Sequence, residues 1–372
     1  MKTIKKIAIN TGGGDAPGLN AVIRAATIAA EHRGWEVVGI REGYNGLLFP
    51  ETCRHGEGLI DLNRKSVRGI THLGGTILGT TNKGNPLEYP VQNEDGSWRT
   101  IDLSGELLAK FDEHGIDALI AVGGDGSLGI ANQLNQKGLP VIGVPKTIDN
   151  DLDGTVVTFG FDTAVSFGTE CVDRLHSTAE SHKRTIVVEV MGRYAGWIAL
   201  HVGLAGSADV ILIPEIPYDM NRVAEKIRQR YDTSTFAIVV VAEGATEIDG
   251  QRAVVAREIG RAEQLGGIGA RVAAQIRALT GVETRSVSLG HLVRGGTPTP
   301  RDRLISLRFG AAAVRALAAG ERGIMVALDP PNVAYVPLSE ATSRMKAVPL
   351  DCDTMLTSRD LGISFGDEFE LV

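Results

Sequence analysis

Residues 7–30 read IAINTGGGDAPGLNAVIRAATIAA, and the order of features in this stretch decides the fold class. A short apolar run, Ile7–Asn10, leads into three consecutive glycines and then into a helical pattern over Leu19–Ala30. A short apolar run bounded by glycines is typical of a strand, whereas apolar residues spaced three and four apart are typical of a helix. The stretch therefore predicts a strand, a tight loop and a helix.

The same rhythm recurs along the chain and predicts an α/β fold with doubly wound sheets. Continuously apolar runs such as Ile186–Val190 are expected to be buried on both faces, as in parallel sheets covered by helices. The polar stretch Tyr89–Arg99 is expected to be a surface turn. The predicted strands are Ile7–Asn10, Val37–Ile40, Ala118–Val122, Val141–Val144, Thr185–Val190, Val210–Ile213, Phe236–Ala242 and Ile324–Leu328.

Bulk properties narrow the class of protein. The 372 residues suffice for two or three domains, and a net charge of -7 from interspersed acids offers no general attraction to nucleic acid or anionic membrane. No run of 18 uncharged apolar residues predicts a membrane span, and the start MKTIKKIAIN lacks the apolar core of a signal peptide. Three widely spaced cysteines, without a zinc-like pattern, fit a reducing compartment, so we expect a cytoplasmic protein.

The residues after each strand are where ligands are expected in doubly wound sheets. Gly12–Gly14 follow the first strand, and glycines there let backbone N–H groups approach an anion at the start of the next helix. The plain alternative is a tight strand-to-helix turn. Three consecutive glycines exceed what such a turn needs, which favours a phosphate-binding loop.

A second loop contains Gly124, Gly126 and Gly129 between a predicted strand and a helix, which satisfies the GxGxxG pattern of dinucleotide-binding folds. An acidic residue about 20 positions on, at Asp149 or Asp151, also suits that pattern. Asp125 argues against it, because a carboxylate would repel a pyrophosphate unless a divalent cation bridged the two. The loop therefore favours a metal–nucleotide complex.

The third loop reads PKTIDND over residues 145–151. Asp149 and Asp151, beside Thr147 and Lys146, could supply a general base, a metal partner and a cation for a transferred phosphoryl group. An Asx-rich turn would have the same composition, so both interpretations stay open.

Basic groups accumulate in the second half of the chain. An arginine fork suits phosphate oxygens, although a single arginine is more often a solvated or ion-paired surface group. His291 could equally be an ordinary core histidine, and Glu243 could bind sugar hydroxyls or cap a following helix. The basic positions are Arg184, Arg193 in the Met191-Gly192-Arg193 segment, Arg285, His291 and Arg294.

Together and in this order, the motifs resemble the phosphofructokinase family over about residues 5–330. Each motif is weak or moderate alone, but five at family-like spacing are specific. They are GGGDAPGLNAVIRA (12–25), GGDGS (123–127), PKTIDND (145–151), HKRTIVVEVMGRYAG (182–196) and ETRSVSLGHLVRGGTPTPRDR (283–303).

The resemblance implies a reaction: transfer of the γ-phosphoryl of ATP to the 1-hydroxyl of fructose 6-phosphate, with Mg²⁺. It implies two α/β/α domains, residues 1–160 plus about 293–345 and residues 161–292 plus about 346–372, with the active site in the cleft between them. It also implies a homodimer or homotetramer in which Arg184 and Arg285 act across a subunit interface.

The resemblance also assigns roles. Asp149 resembles the base and Thr147 the residue that contacts the phosphoryl group, with Asp151 and Lys146 close by. Asp125 resembles the Mg²⁺ partner. The nucleotide cradle would comprise Gly14, Asn82, Lys83, Gly124, Asp125, Gly126 and Ser127. The sugar-phosphate site would comprise Thr147, Ile148, Asp149, Arg184, Met191, Gly192, Arg193, Glu243, Arg285, His291 and Arg294.

Two positions give opposite indications of the phosphoryl donor. Family members that use pyrophosphate have Asp where this chain has Gly126, and Lys where it has Lys146. An Asp facing an α-phosphate is repulsive, whereas a lysine can pair with either donor, so Gly126 carries more weight and favours ATP. Pyrophosphate remains the alternative donor.

Two more distant alternatives remain. The GxGxxG spacing allows a nicotinamide oxidoreductase, against which Asp125 speaks. A sugar-phosphate sensor without chemistry is also conceivable, but it would gain nothing from Asp125, Asp149 and Asp151 near a bound anion.

Overall fold

The computed structural model describes residues 4–53, 56–81, 84–248, 250, 252, 254–256 and 264–368. Within them the chain forms two compact units. The first unit is Met1–Ile148, Leu152–Gly160 and Arg294–Met345, and the second is Asp149–Asp151, Phe161–Val293 and Lys346–Val372.

Strands and helices alternate along most of the chain. The strands are β1 Lys6–Thr11, β2 Glu36–Ile40, β3 Leu59–Leu62, β4 Tyr89–Gln92, β5 Trp98–Ile101, β6 Ala118–Gly123, β7 Val141–Thr147, β8 Phe159–Gly160, β9 Thr185–Val190, β10 Val210–Leu212, β11 Ala237–Ala242, β12 Val254–Ala256, β13 Gln264–Leu265, β14 Thr284–Ser288, β15 Ile324–Asp329 and β16 Asn332–Pro337. The helices are α1 Leu19–Glu31, α2 Asn45–Leu48, α3 Ser104–Glu113, α4 Asp125–Gln136, α5 Phe161–His182, α6 Trp197–Ala205, α7 Met220–Thr233, α8 Ile268–Thr280, α9 Pro300–Ala318, α10 Leu338–Ala341 and α11 Asp353–Asp360.

The first unit is built on a sheet with the order β16-β15-β7-β6-β1-β2-β3. The central strands β2, β1, β6, β7 and β15 pair in parallel, and the edge strands β3 and β16 are antiparallel. From β1 the chain adds β2 on one side and later β6 on the other, so the winding direction reverses between β1 and β6. Such a reversal opens a crevice at the carboxyl ends of the strands.

The second unit is built on a parallel sheet with the order β10-β11-β9-β14. Its interior strands are largely apolar and fully covered: all six residues of β9, including Thr185 and Glu189, and all six of β11 are buried. A strand covered on both faces needs no polar alternation, which explains the continuous runs in the sequence. The winding direction reverses between β9 and β14.

All the predicted strands are present, and the α/β class is confirmed. Tyr89–Arg99 was expected to be only a surface turn, and this is wrong: β4 and β5 pair as an antiparallel hairpin around the turn at 93–97. Strand β14 was not predicted, because TRSVS is mostly polar. In the part of the chain that the structure describes, no helix is both long and apolar enough to cross a membrane.

Close packing of α1 on α9 gives a stability test. Gly310 in α9 is buried, and a Cβ there would lie 2.5 Å from the carbonyl oxygen of Val22 and 2.9 Å from Cβ of Ala25. An ordinary helical Gly→Ala change stabilises by up to about 1 kcal/mol. At Gly310 the same change should destabilise the protein, because a backbone carbonyl oxygen cannot move aside as the end of a flexible side chain can.

We therefore expect Gly310→Ala to lower the free energy of unfolding by roughly 1–3 kcal/mol, the usual range for overpacking. Urea denaturation followed by circular dichroism measures it. The control is Gly105→Ala at the start of α3, where a Cβ meets no atom within 4 Å and no loss is expected. Equal stability of the two variants would refute the packing argument.

Candidate active site

Two loops meet at the crevice of the first unit because the strands before them are parallel neighbours. Residues 12–14 follow β1, and residues 124–127 follow β6, with Thr11 opposite Val122 in the register. The side chain of Ser127 fills the space between the loops: a Cβ on Gly12 would lie 2.7 Å from Ser127 Oγ. The glycine-rich segments are therefore adjacent in space as well as similar in sequence.

The Gly12–Gly14 loop is fixed by hydrogen bonds on both sides. Gly12 N–H donates to Val122 O at 2.9 Å, and Gly13 N–H donates to Thr81 O at 3.1 Å. The hydroxyl of Thr80 donates to Gly13 O at 2.5 Å. A loop held in this way keeps one backbone conformation, as an anion site requires.

Gly14 is packed against the guanidinium of Arg294, which a side chain at this position would displace. A Cβ there would lie 2.9 Å from Nη1 of Arg294, whose guanidinium donates to Asp15 O at 3.2 Å. The ammonium of Lys146, only 3% exposed, donates to Gly14 O. Two cations thus border the glycine loop, which favours a bound polyanion.

Helix α4 begins at the second loop, with Asp125 and Gly126 exposed in its first turn. A Cβ on Gly126 would meet no atom within 4 Å. A Cβ there displaces no protein atom, so packing around the Cβ does not require glycine at this position. Asn82 and Lys83, predicted members of the same cradle, lie outside the described residues.

The described residues contain no group of three or more His, Cys, Asp or Glu side chains that could hold a metal. Mg²⁺ typically uses one or two carboxylates and fills the rest of its octahedron with phosphate oxygens and water. The exposed Asp125 carboxylate beside the glycine loops fits an ion shared with a nucleotide's phosphates.

The segment after β7 turns sharply. The side chain of Ile148 is fully buried, so only its backbone can face a ligand, and Thr147 is 8% exposed. In the second unit Asn150, 4% exposed, adopts a left-handed conformation with φ 53°, between the half-buried Asp149 and Asp151. Asparagine tolerates this conformation because its short polar side chain can bond locally. The turn therefore places the Asp149 and Asp151 carboxylates on either side of one residue with a left-handed backbone conformation.

The second unit has a cavity of about 270 Å³ at the carboxyl ends of its strands. Loops after β9, β11 and β14 contribute to it, as expected at a winding reversal. Its lining includes Glu189, Met191, Glu243, Gly267, Ser288 and His291.

Hydrogen bonds hold the Met191–Arg193 loop against Glu243. Glu243 N–H donates to Val190 O at 2.9 Å, and Gly244 N–H donates to Gly192 O at 3.1 Å. Gly192 has φ 144°, which side chains rarely tolerate. Residues 243–248 form a turn, so Glu243 does not cap a helix. His291 is exposed on the cavity, which rules out the core-histidine interpretation.

Comparison with known proteins identifies the family. The family model described as phosphofructokinase matches residues 6–317. The chain belongs to the phosphofructokinase family. An ATP-dependent 6-phosphofructokinase from Chloroflexus aurantiacus is 51% identical over 98% of both chains.

Two further relatives show the breadth of the family. A pyrophosphate–fructose 6-phosphate 1-phosphotransferase from Amycolatopsis mediterranei is 47% identical over 93% of this chain and 97% of its own. A solved phosphofructokinase from Pichia pastoris superposes with a TM-score of 0.77 at 30% identity over 97% of this chain, which spans 37% of that longer protein. Relatives named for different phosphoryl donors are thus similar to this chain.

Arg184 and Arg285 lie near the amino ends of β9 and β14. Arg184 precedes β9 and Arg285 lies near the start of β14, and both pair with Glu283, at 3.3 and 2.9 Å. Met191 and His291 follow the same strands. Ser286, the residue after Arg285, lines the cavity, but neither arginine is among its lining residues. Their own-chain partner in the described residues is Glu283.

Glu189 lines the cavity of the second unit but is not among the predicted site residues. It lies in β9, 5% exposed, and accepts hydrogen bonds from Gly269 N–H at 2.7 Å, Gly267 N–H at 3.3 Å and Ser288 Oγ at 3.1 Å. It thereby joins the start of α8 and strand β14 to β9. The carboxylate that interrupts the apolar run TIVVEV was the available signal.

We expect Glu189→Gln to lower the free energy of unfolding by about 1.5–3 kcal/mol, the range for hydrogen bonds to a charged group. Glutamine keeps the shape but replaces one acceptor oxygen with a donor that faces N–H groups, and the favourable charge at the start of α8 is lost. Urea denaturation measures the effect, with the exposed Glu113→Gln as a control. A wild-type midpoint for Glu189→Gln would remove it from this role.

Proposed function

We propose that the chain is an ATP-dependent 6-phosphofructokinase, which transfers the γ-phosphoryl of ATP to the 1-hydroxyl of fructose 6-phosphate and releases fructose 1,6-bisphosphate and ADP. The observation that carries the proposal is the pair of fixed glycine loops bordered by Lys146 and Arg294 in a chain of this family. Backbone N–H groups of Gly14 and of the start of α4 would bind the phosphates, since those of Gly12 and Gly13 already donate to Val122 O and Thr81 O.

The donor phosphates would occupy the loops after β1 and β6. Gly14 and residues 124–127 would hold them, and Lys146 would place its positive charge beside them while one of its three donors bonds Gly14. Mg²⁺ bound with the nucleotide supplies further neutralisation of phosphate charge, and Asp125 is its proposed protein partner.

The acceptor would occupy the cavity of the second unit, with Glu243 on sugar hydroxyls and Met191–Arg193 beside them. Asp149 would take the proton from the 1-hydroxyl as that oxygen bonds to the γ-phosphorus and the bond to the leaving ADP oxygen breaks. Thr147 and Arg193 would stabilise the charge on the transferred group. Thr147 and Asp149 are two residues apart in the chain, so one could contact the transferred phosphoryl group while the other accepts the proton of the attacking hydroxyl.

A second copy of the chain would complete the sugar-phosphate site. Arg184 and Arg285 are not among the residues that line the cavity of their own chain, and the Arg285–Ser288 side chains on β14 are exposed at an edge of the described sheet. Exposed edge strands are normally covered by another element or chain. We propose a homodimer or homotetramer in which the partner's arginines join His291 on the 6-phosphate. The three free cysteines fit the cytoplasm.

Pyrophosphate-dependent transfer to the same sugar is the second candidate, because Lys146 matches the pyrophosphate users and a relative with that name is 47% identical. Gly126 favours ATP. Purified protein is assayed with fructose 6-phosphate, Mg²⁺ and either ATP, ADP or pyrophosphate. Turnover with ATP is expected, whereas turnover with pyrophosphate alone would reject ATP as the donor.

Asp149→Ser should lower kcat at least 100-fold, within the usual range for losing a general base, with KM for fructose 6-phosphate little changed. The physical reason is that no other assigned group accepts the hydroxyl proton. Asp112→Ser, an exposed position on α3, is the control. A variant at position 149 with near-normal kcat would exclude this carboxylate as the base.

Gly126→Asp tests the donor assignment. A Cβ meets no protein atom within 4 Å at this position, so the fold should tolerate the change. On the family's pattern, the new carboxylate would face the α-phosphate of ATP. We expect kcat/KM for ATP to fall at least tenfold, or about 1.4 kcal/mol, with a smaller effect on pyrophosphate. Gly105→Asp adds the same charge at a remote helix start. Unchanged use of ATP by the position-126 variant would contradict the assignment.

A further inference from the structure

The Asp149–Asp151 turn is contacted by a lysine from the C-terminal segment of the second unit. The ammonium of Lys346 donates to Asn150 Oδ1 at 3.1 Å, and its backbone N–H donates to Asp151 O at 2.8 Å. One residue thus contacts the turn through both its side chain and its backbone, across 196 positions of sequence.

The contact falls on the part of the turn with the least conformational tolerance. Asn150 is buried, and its φ of 53° lies where residues other than glycine are uncommon. Such a conformation persists only where surrounding contacts determine it. Rotation of Asn150 toward ordinary backbone angles would change the directions of both Asp149 and Asp151.

Lys346 is itself held in place by the helix that follows the Met191–Arg193 loop. Trp197 Nε1–H donates to Lys346 O at 2.9 Å, and the Lys346 ammonium lies 5.7 Å from the centre of the Trp197 ring. Two residues further on, Val348 N–H donates at 2.9 Å to Glu215, which also accepts from Gly196 N–H. The segment therefore has partners besides the turn: Trp197 at the start of α6, and Glu215 after β10.

We infer that Lys346 is a positioning residue: it holds Asn150 in its left-handed conformation and thereby aims the Asp149 and Asp151 carboxylates. The inference rests on the proposed function, in which Asp149 is the base. Near-attack geometry is demanding, and a displacement of about 1 Å can cost 100-fold in rate. The sugar cavity is lined by other loops, so binding of the acceptor does not require this contact.

The test compares Lys346→Met, Lys346→Arg and the control Lys110→Met, an exposed lysine paired with Glu113. For Lys346→Met we expect kcat to fall 10- to 100-fold, KM for fructose 6-phosphate to stay within twofold, and the melting temperature to stay close to that of the control. Lys346→Arg keeps a donor and should recover at least fivefold of the lost kcat.

A double-mutant cycle with Asn150→Gly separates positioning from other roles. Glycine keeps the left-handed conformation accessible but removes Oδ1, so Lys346→Met should have less than threefold further effect in that background. Trp197→Phe removes the Nε1 donor but keeps an aromatic ring, and it should reproduce part of the kcat loss expected for Lys346→Met. This variant remains informative if the turn variants fold poorly.

Three results would overturn the inference. The first is a kcat of Lys346→Met within twofold of the control, and the second is a raised KM at normal kcat, which would place Lys346 in substrate binding. The third is a parallel loss of melting temperature and activity that arginine does not restore, which would indicate a purely structural role. Absence of sugar phosphorylation by the wild-type protein would instead reject the proposed function.

Discussion

In both units the strands that precede the proposed ligand-binding loops pair in parallel, so their carboxyl ends meet at one edge of the sheet. Parallel pairing in turn requires helices between the strands and apolar residues on both faces. The loops after β1 and β6 become neighbours for this reason alone, and so do those after β9, β11 and β14. The positions of Gly14, Asp125, Met191 and His291 all depend on this constraint.

Contacts that close the loops refine this arrangement. The buried ammonium of Lys146 donates a hydrogen bond to the Gly14 carbonyl. Arg294, which is 279 positions from Asp15 in the sequence, donates to the Asp15 carbonyl. In the second unit, Glu189 performs the corresponding task for the start of α8 and for β14. The buried charged side chains Lys146 and Glu189 thus hold loops of their own unit in place before any ligand enters.

Much of this could be predicted from the sequence, because the interior strands are short, largely apolar and often followed within two residues by glycine. The carboxyl-end location of the loops followed from the fold class. The hairpin at β4–β5 and the edge strand β14 could not be predicted, since polar strands carry no apolar signal. Contacts between distant residues, such as Glu189 with Gly269 and Lys346 with Asn150, depend on tertiary packing that periodicity does not encode.

The proposed reaction transfers the γ-phosphoryl group of ATP to the 1-hydroxyl of fructose 6-phosphate. Phosphorus NMR of a reaction containing the protein, Mg²⁺, ATP and fructose 6-phosphate tests it directly. We expect ADP and a sugar with phosphates at positions 1 and 6 to form in equal amounts. Release of inorganic phosphate without a bisphosphate, or a phosphate at another hydroxyl, would contradict it.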